Sequence, residues 1–265
     1  AWHSRSKFTT WEHIAITVEG KVAVISGGAS LRGIGRATAA LLAAHGARIV
    51  ILDIDGDGAR ESAVSIGSEH IGIECDVASS EQCVGSIETA LEAFGKIDIL
   101  INNAGVASPH RIADIDAATW DRVHDINLRG ALNLSQATIP HMRSRKQGSI
   151  ICMSSIAAQR GGGIFGGAHY AAAKAGVLGL AKAMARELGP DGIRVNCVTP
   201  GLIQTDITGD HLTAEQESEI ASQIPLGRLG ETGDVAGVVL FLASDLSSYL
   251  TGNVIDVNGG MLIHG

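Results

Sequence analysis

Val22-Ala23-Val24-Ile25-Ser26-Gly27-Gly28-Ala29-Ser30-Leu31-Arg32-Gly33-Ile34-Gly35 decides how the rest of the chain is read. The apolar run Val22–Ile25 does not alternate with polar residues, so it reads as a strand buried on both faces. The glycines after it mark a turn. The run from Ile34 to about His45, closed by Gly46, reads as a helix. A strand that turns through glycines into a helix leaves free N–H groups and a partial positive charge at the helix start, which suits phosphate. In such a turn Gly27 permits the tight bend, Gly33 lets backbone approach a pyrophosphate, and Gly35 lets helix pack closely on sheet. Many strand-to-helix turns carry glycines, so this reading needs a second residue.

Asp53 supplies it. The next apolar run, Arg48–Leu52, ends in Asp53, 18 residues beyond Gly35. A carboxylate there can bond both ribose hydroxyls of an adenosine. It would repel a 2′-phosphate by on the order of a few kcal/mol at ~4 Å and an effective dielectric near ~20. The pair therefore favours NAD over NADP as cofactor. Arg32, inside the turn, argues the other way, because guanidinium suits phosphate.

The same rhythm continues outward. Further strands are expected near His70–Cys75 and at Ile97–Ile101, Ser149–Met153, Ile193–Val198 and Asn253–Val257. Ser79 with Gln82 forms a capping box for a helix that ends before Gly95. Asp116 caps a long helix to about Arg145, and His169–Leu188 is a helix rich in Ala, Leu and Met. Continuous apolar strands alternating with helices predict an α/β fold: one doubly wound, mostly parallel sheet of seven strands with helices on both faces.

Tyr170 and Lys174 stand one helical turn apart, so their side chains share a face. A phenol titrates near ~10, and proton transfer at neutral pH asks for a lower value. An adjacent ammonium and a nicotinamide cation both favour phenolate, which gives Lys174 a physical task. Ser154-Ser155 end the preceding strand, and Asn127 lies inside the preceding helix.

From about Gly20 onward the chain resembles the short-chain dehydrogenase/reductase family, with its single Rossmann domain. The resemblance is carried by the glycine turn, Asp76-Val77, Asn102-Asn103-Ala104-Gly105, Asn127, Ser155, Tyr170-x-x-x-Lys174 and Pro200-Gly201, in that order. It implies a catalytic set of Asn127, Ser155, Tyr170 and Lys174. Ser155 would bond the substrate oxygen, Tyr170 exchange its proton, Lys174 bond the nicotinamide ribose, and Asn127 hold a proton-relaying water. The cofactor set it implies is Gly27, Gly33, Ile34 and Gly35 for the phosphates and Asp53 with Ile54 for the ribose. Asp76 and Val77 would hold the adenine edge, and Asn103, Ala104 and Gly105 the adenosine side. Tyr170 and Lys174 recur in that set, and Pro200, Gly201, Ile203 and Thr205 would frame the nicotinamide. Two departures stand out. Five residues separate Gly27 from Gly33, two more than is usual in the family, because of Leu31-Arg32, and Ser26 replaces the usual Thr. The Ser155-to-Tyr170 interval is also two residues longer than usual and holds Gly161, Gly162, Gly163, Gly166 and Gly167.

The activity implied is NAD-linked interconversion of a secondary alcohol and a carbonyl. The glycine-rich interval with Gln159 and His169 suggests a hydroxylated substrate, and the chain resembles family members that act on sugars and polyols. The alternatives are 3-oxoacyl-thioester reduction, which would favour NADPH, and a dinucleotide sensor without turnover. An epimerase would carry a longer C-terminal substrate domain, and a methyltransferase would lack the Tyr–Lys pair. Thr205 to about Ile224, with a Thr213/Gln216 cap signal, is expected to form a lid over the substrate. The resemblance also implies a homotetramer that packs the helices at 116–145 and 169–188 against symmetry mates through Ala171, Ala172, Ala175 and Gly179.

Composition excludes other classes. The 265 residues are 45% hydrophobic and 18% charged, enough to bury a core and too apolar for disorder. A net charge of −8 makes nucleic acid and anionic membranes poor partners. No apolar run reaches the ~18 residues a membrane helix needs. Cys75, Cys83, Cys152 and Cys197 are scattered singly, without a CxxC pair, and His110 and His141 lack partners at ligand spacing, so no metal is expected. Reduced thiols fit a cytoplasmic chain. Ala1–Lys7 has no apolar signal core, and residues 1–19 are expected to precede the fold, which would span residues 20–265.

Overall fold

In a computed structural model, residues 16–163, 165–206 and 212–263 are described. The strands are β1 (Val22–Ser26), β2 (Arg48–Asp53), β3 (Ile71–Glu74), β4 (Ile99–Asn102), β5 (Gly148–Met153), β6 (Ile193–Pro200) and β7 (Val254–Val257). They form one sheet in the order β3-β2-β1-β4-β5-β6-β7, and every pairing is parallel. The order reverses between β1 and β4. In open α/β sheets a ligand crevice forms at that point, beyond the carboxyl ends of the strands.

Side chains alternate across the sheet. Val22, Val24, Leu100, Ile150 and Val195 pack beneath α3 (Ser80–Phe94), α5 (Gly130–Arg145) and α7 (Ala168–Leu188). Ala23, Ile25, Ile49, Ile51, Ile101 and Ile151 face α1 (Ile34–Ala44), α2 (Gly56–Ile66) and α9 (Thr232–Ala243). Each fully buried aliphatic side chain contributes ~1.5–3 kcal/mol, which is why the strands are apolar on both faces.

Two of these helices are absent from the sequence reading. In α2, Gly56 and Gly58 weaken the first turn by about 1 kcal/mol each. The helix is started instead by Asp55, whose carboxylate accepts from Gly58 N at 3.0 Å. In α9 the cap is an acidic pair, Glu231 with Asp234, ahead of an apolar run that packs on α1. The expected box at Ser79 forms by half. Ser79 Oγ accepts from Gln82 N, but the Gln82 side chain accepts from Asp76 N at 2.8 Å, tying the β3–α3 loop to the helix start.

The helix capped by Asp116 reaches Arg145 in three parts. They are α4 (Ala117–His124), a wider π turn over Asp125–Arg129, and α5. The fold also begins earlier than expected: Val18 is fully buried and its N–H bonds His45 O at 3.1 Å, so residues 16–19 pack with the domain. Residues 1–15 lie outside the described residues, as do 207–211 of the expected lid, Ile164 of the glycine-rich interval, and residues 264–265. The cap signal at Thr213 is realised as a full capping box on α8 (Ala214–Ser222). Among the described residues no helix is long and apolar enough to cross a membrane.

Candidate active site

The turn after β1 is pinned to Asn103 and Ala104, which follow β4. Ser26 Oγ accepts from Asn103 N and Ala104 N, each at 3.0 Å, and Asn103 Nδ2 donates to Ser26 O and Gly27 O at 2.9 and 2.8 Å. The hydroxyl at position 26 thus does its work as Ser. Gly27 has φ +74°, and a Cβ there would meet Ala104 Cα at 2.8 Å. A Cβ on Gly35 would run into Gly27 O and lie 2.7 Å from Asn103 Nδ2, so only glycine lets α1 start this close to the turn. No side chain among the described residues caps α1 at Gly33, which leaves its first N–H groups facing the crevice.

The crevice is a cleft of about 770 Å³ along the carboxyl ends of the strands. It brings together Gly27, Gly33, Ile34, Asp53, Asn103, Ala104, Gly105, Asn127, Ser155, Tyr170, Lys174, Pro200, Gly201, Ile203 and Thr205. Gly35 lies beneath its floor. Ile54, Asp76 and Val77 are not in its wall. Ile54 is solvent-exposed, Val77 is buried against Gly130, and the Asp76 carboxylate accepts from Ala78 N within its own loop. Asp53 is oriented by Ala29 N and Asp55 N, at 3.0 and 3.1 Å.

Arg32 does not stand free in the turn. Its Nε meets Asp206 Oδ1 at 2.6 Å, while Asp206 Oδ2 accepts from Ser30 Oγ at 2.6 Å and Arg32 N at 3.2 Å. These contacts hold the Asp206 carboxyl at about 2, below its usual range, Ser30 contributing most. Asp206 follows β6, so this clasp joins the two lips of the cleft. Sequence reasoning missed Asp206, since nothing local marks an acid as the partner of a residue far away in the chain.

At the other end, Tyr170 and Lys174 project from α7. Lys174 is buried, its Nζ donates to Met153 O at 2.9 Å, and it sits 5.9 Å from the centre of the Tyr170 ring. Burial pulls its pKa down to about 8. Burial also pushes the Tyr170 hydroxyl above the usual tyrosine range, opposed by a hydrogen bond with Ser155. The sequence assigned the lowering of Tyr170 to Lys174. Among the protein's own groups that lowering falls to Ser155, because the ammonium is itself disfavoured by burial and is engaged by a carbonyl. Of the two serines that follow β5, Ser155 faces Tyr170, while Ser154 Oγ donates to Lys174 O at 2.8 Å and fastens α7 to the sheet.

The π turn presents Asn127. Its Nδ2 donates to Val106 O and Val123 O, each at 2.9 Å. Its Oδ1 is buried with no partner among the described residues, close enough to Gly105 that a Cβ there would approach to 2.6 Å. Single π turns inside α-helices commonly mark functional positions.

Gln159 and His169 do not reach the cleft wall. Gln159 Nε2 donates to Asp256 at 2.9 Å, and His169 is fully buried beside His110, with ring centroids 6.3 Å apart. The four cysteines are free and buried. Among the described residues no cluster of His, Cys, Asp or Glu is placed to hold a metal.

A doubly wound parallel sheet with a glycine turn at its switch point and a Tyr–Lys pair in the same cleft defines a nucleotide-linked oxidoreductase. The chain belongs to the short-chain dehydrogenase/reductase family. A family model described as enoyl-(acyl carrier protein) reductase matches residues 27–262. The chain is 62% identical over 251 residues to an uncharacterized short-chain type dehydrogenase/reductase, y4mP, of Sinorhizobium fredii, covering 93% of this chain and 99% of that one. It is 40% identical over 256 residues to the 3-oxoacyl-(acyl-carrier-protein) reductase FabG of Thermotoga maritima, covering 93% and 99%. A solved 3-ketoacyl-(acyl-carrier-protein) reductase of Brucella melitensis, complexed with NADH, superposes with a TM-score of 0.85 at 33% identity, covering 94% of this chain and all of that one.

Proposed function

We propose that the protein is an NAD-dependent oxidoreductase that interconverts a 3-oxoacyl compound and its 3-hydroxy form. The observation that carries the reading is the meeting of Ser155, Tyr170 and Lys174 in one cleft with Asp53. The residues fit a dinucleotide: uncapped N–H groups at α1, a turn where a Cβ on Gly27 would collide, and a carboxylate at the end of β2. NAD is favoured over NADP because Asp53 faces the cleft while Arg32 is taken up by Asp206.

The bound nicotinamide supplies the hydride acceptor or donor. The chain does the rest. Ser155 and Tyr170 take the reacting oxygen, and Tyr170 Oη accepts the alcohol proton in oxidation or returns it in reduction. Lys174 lies beside the phenol ring, 5.9 Å from its centre, and would hold a ribose hydroxyl of the bound dinucleotide, while Ser155 opposes the effect of burial on Tyr170. Asn127 Oδ1, buried and without a partner among the described residues, would accept a hydrogen bond on the proton's way out.

A polyol substrate has no support in the cleft, since both polar candidates for it, Gln159 and His169, are turned away. The 3-oxoacyl reading draws on the relatives and on a wall of Ala157, Phe165, Leu202, Ile220 and Met261, which suits a hydrocarbon chain. Ile220 and Gln223 bring the α8 segment into that wall, in keeping with a lid over Thr205 to about Ile224. Exposed Ala172, Ala175 and Gly179 form a small-residue stripe on α7 that fits a homotetramer, and the assembly is read as cytoplasmic. Initial rates with NADH and NADPH on 3-oxoacyl thioesters, ketoses and cyclic ketones test the reading. Faster turnover of thioesters with NADH is expected, and preference for ketoses would overturn the substrate class.

A further inference from the structure

Arg160 ends α6 (Ala157–Arg160), five residues after Ser155, in the interval where this chain is longer than its family. Its place is fixed by backbone. Arg160 N bonds Ile156 O at 3.0 Å, and Gly161 N and Gly162 N both donate to Ala157 O, at 3.0 and 3.1 Å. Gly161 and Gly162 have φ of +86° and +114°, a path that residues with side chains rarely take.

Arg160 lines the same cleft as Ser155 and Tyr170. Every other charge in that wall has a partner. Lys174 is buried on Met153 O, Asp53 is held by two backbone N–H groups, and Asp206 is held by Ser30 and Arg32. Among the described residues no carboxylate pairs with Arg160. Arg160 is exposed in a wall that also carries the apolar Ala157 and Phe165, so its guanidinium is open to a charge-assisted hydrogen bond with an entering anion.

We propose that Arg160 binds an oxyanion of the substrate, a carboxylate or a phosphate, while Ser155 and Tyr170 hold the oxygen that reacts. The proposal rests on the oxidoreductase reading for the position of that oxygen. It makes the substrate an anionic 3-oxoacyl compound, and it makes the longer interval the element that selects it.

Calorimetric titration of the NADH-loaded protein tests it without turnover. The probes are 3-hydroxybutanoate against its neutral methyl ester, and 3-hydroxybutanoyl-coenzyme A against the neutral N-acetylcysteamine thioester. Arg160→Gln should weaken the anionic probe of one pair by about ten-fold or more and leave its neutral counterpart unchanged, with Arg160→Lys in between. Loss confined to 3-hydroxybutanoate identifies a carboxylate, and loss confined to the coenzyme A thioester a phosphate. Equal losses on anionic and neutral probes, no loss on either, or a wild-type protein that binds no anionic probe more tightly than its neutral counterpart overturns the proposal. Failure of the wild-type protein to oxidise any of the four with NAD would remove the 3-oxoacyl reading and leave the binding comparison standing.

Discussion

The two ends of the cleft are built differently. Around the glycine turn nearly every position is tied. Ser26 serves two backbone N–H groups, Asn103 spans two carbonyls, and Gly35 has backbone where a Cβ would be. Beyond Ser155 the wall is a single-turn helix, a run of glycines and side chains from α8. A Cβ on Gly161 or Gly163 would meet nothing within 4 Å. The tied end fits a ligand whose shape does not change. The looser end can be lengthened without disturbing the sheet.

The Tyr170–Lys174 pair joins the two ends and gives the largest expected effect. Tyr170→Phe should lower kcat by about a hundred-fold or more while NADH still binds, measured by steady-state rates beside fluorescence titration. Retained turnover would remove Tyr170 from proton transfer.

Lys174 should pull stability the opposite way from activity. Its shift from 10.5 to about 8 corresponds to about 3 kcal/mol against the charged form in the fold. Protons bind the unfolded chain more readily, so the penalty is full below pH ~8 and is relieved as pH rises towards 10.5. Lys174→Met should abolish activity, raise the melting temperature at pH 7, and lose the stability gain that the parent shows between pH 8 and 10.5. A less stable variant at pH 7 would mean that the bond to Met153 O outweighs burial.

Paired glycine substitutions sharpen the contrast between the two ends. Gly35→Ala should cost about 1–3 kcal/mol in urea unfolding, because backbone must move to admit the methyl. Gly163→Ala should change stability by less than about 0.5 kcal/mol. Equal costs would mean the looser end is as closely packed as the turn.

Cofactor choice gives the smallest effects. Asp53→Asn should raise the NADPH-to-NADH ratio of kcat/KM by about ten-fold, by removing the charge that repels a 2′-phosphate. Asp206→Asn should raise it by only about two- to three-fold by loosening Arg32. Its stability should change by less than about 1 kcal/mol, since both partners are largely exposed.

Much of this was legible in the chain. The strands were legible because burial on both faces leaves an unbroken apolar run, and Tyr170 and Lys174 because helix geometry fixes which residues share a face. The helix α2 was not, since its opening glycines argue against a helix and only Asp55 argues for one. Nor was the π turn at Asn127, where one extra residue per turn leaves no compositional mark. The protonation balance of the pair was misread because spacing shows proximity but not burial, and burial acts on both partners. Gln159 looked like a substrate ligand until Asp256, on the last strand, claimed its amide.

The clasp between Arg32 and Asp206 has a further consequence. Two extra residues on one lip of a crevice lengthen its reach, and here that reach ends on an acid supplied by the opposite lip. Loop length on one side and side-chain choice on the other therefore cannot drift separately. Shortening the turn would strand a carboxylate at the mouth, and replacing the carboxylate would unfasten the guanidinium from the opposite lip.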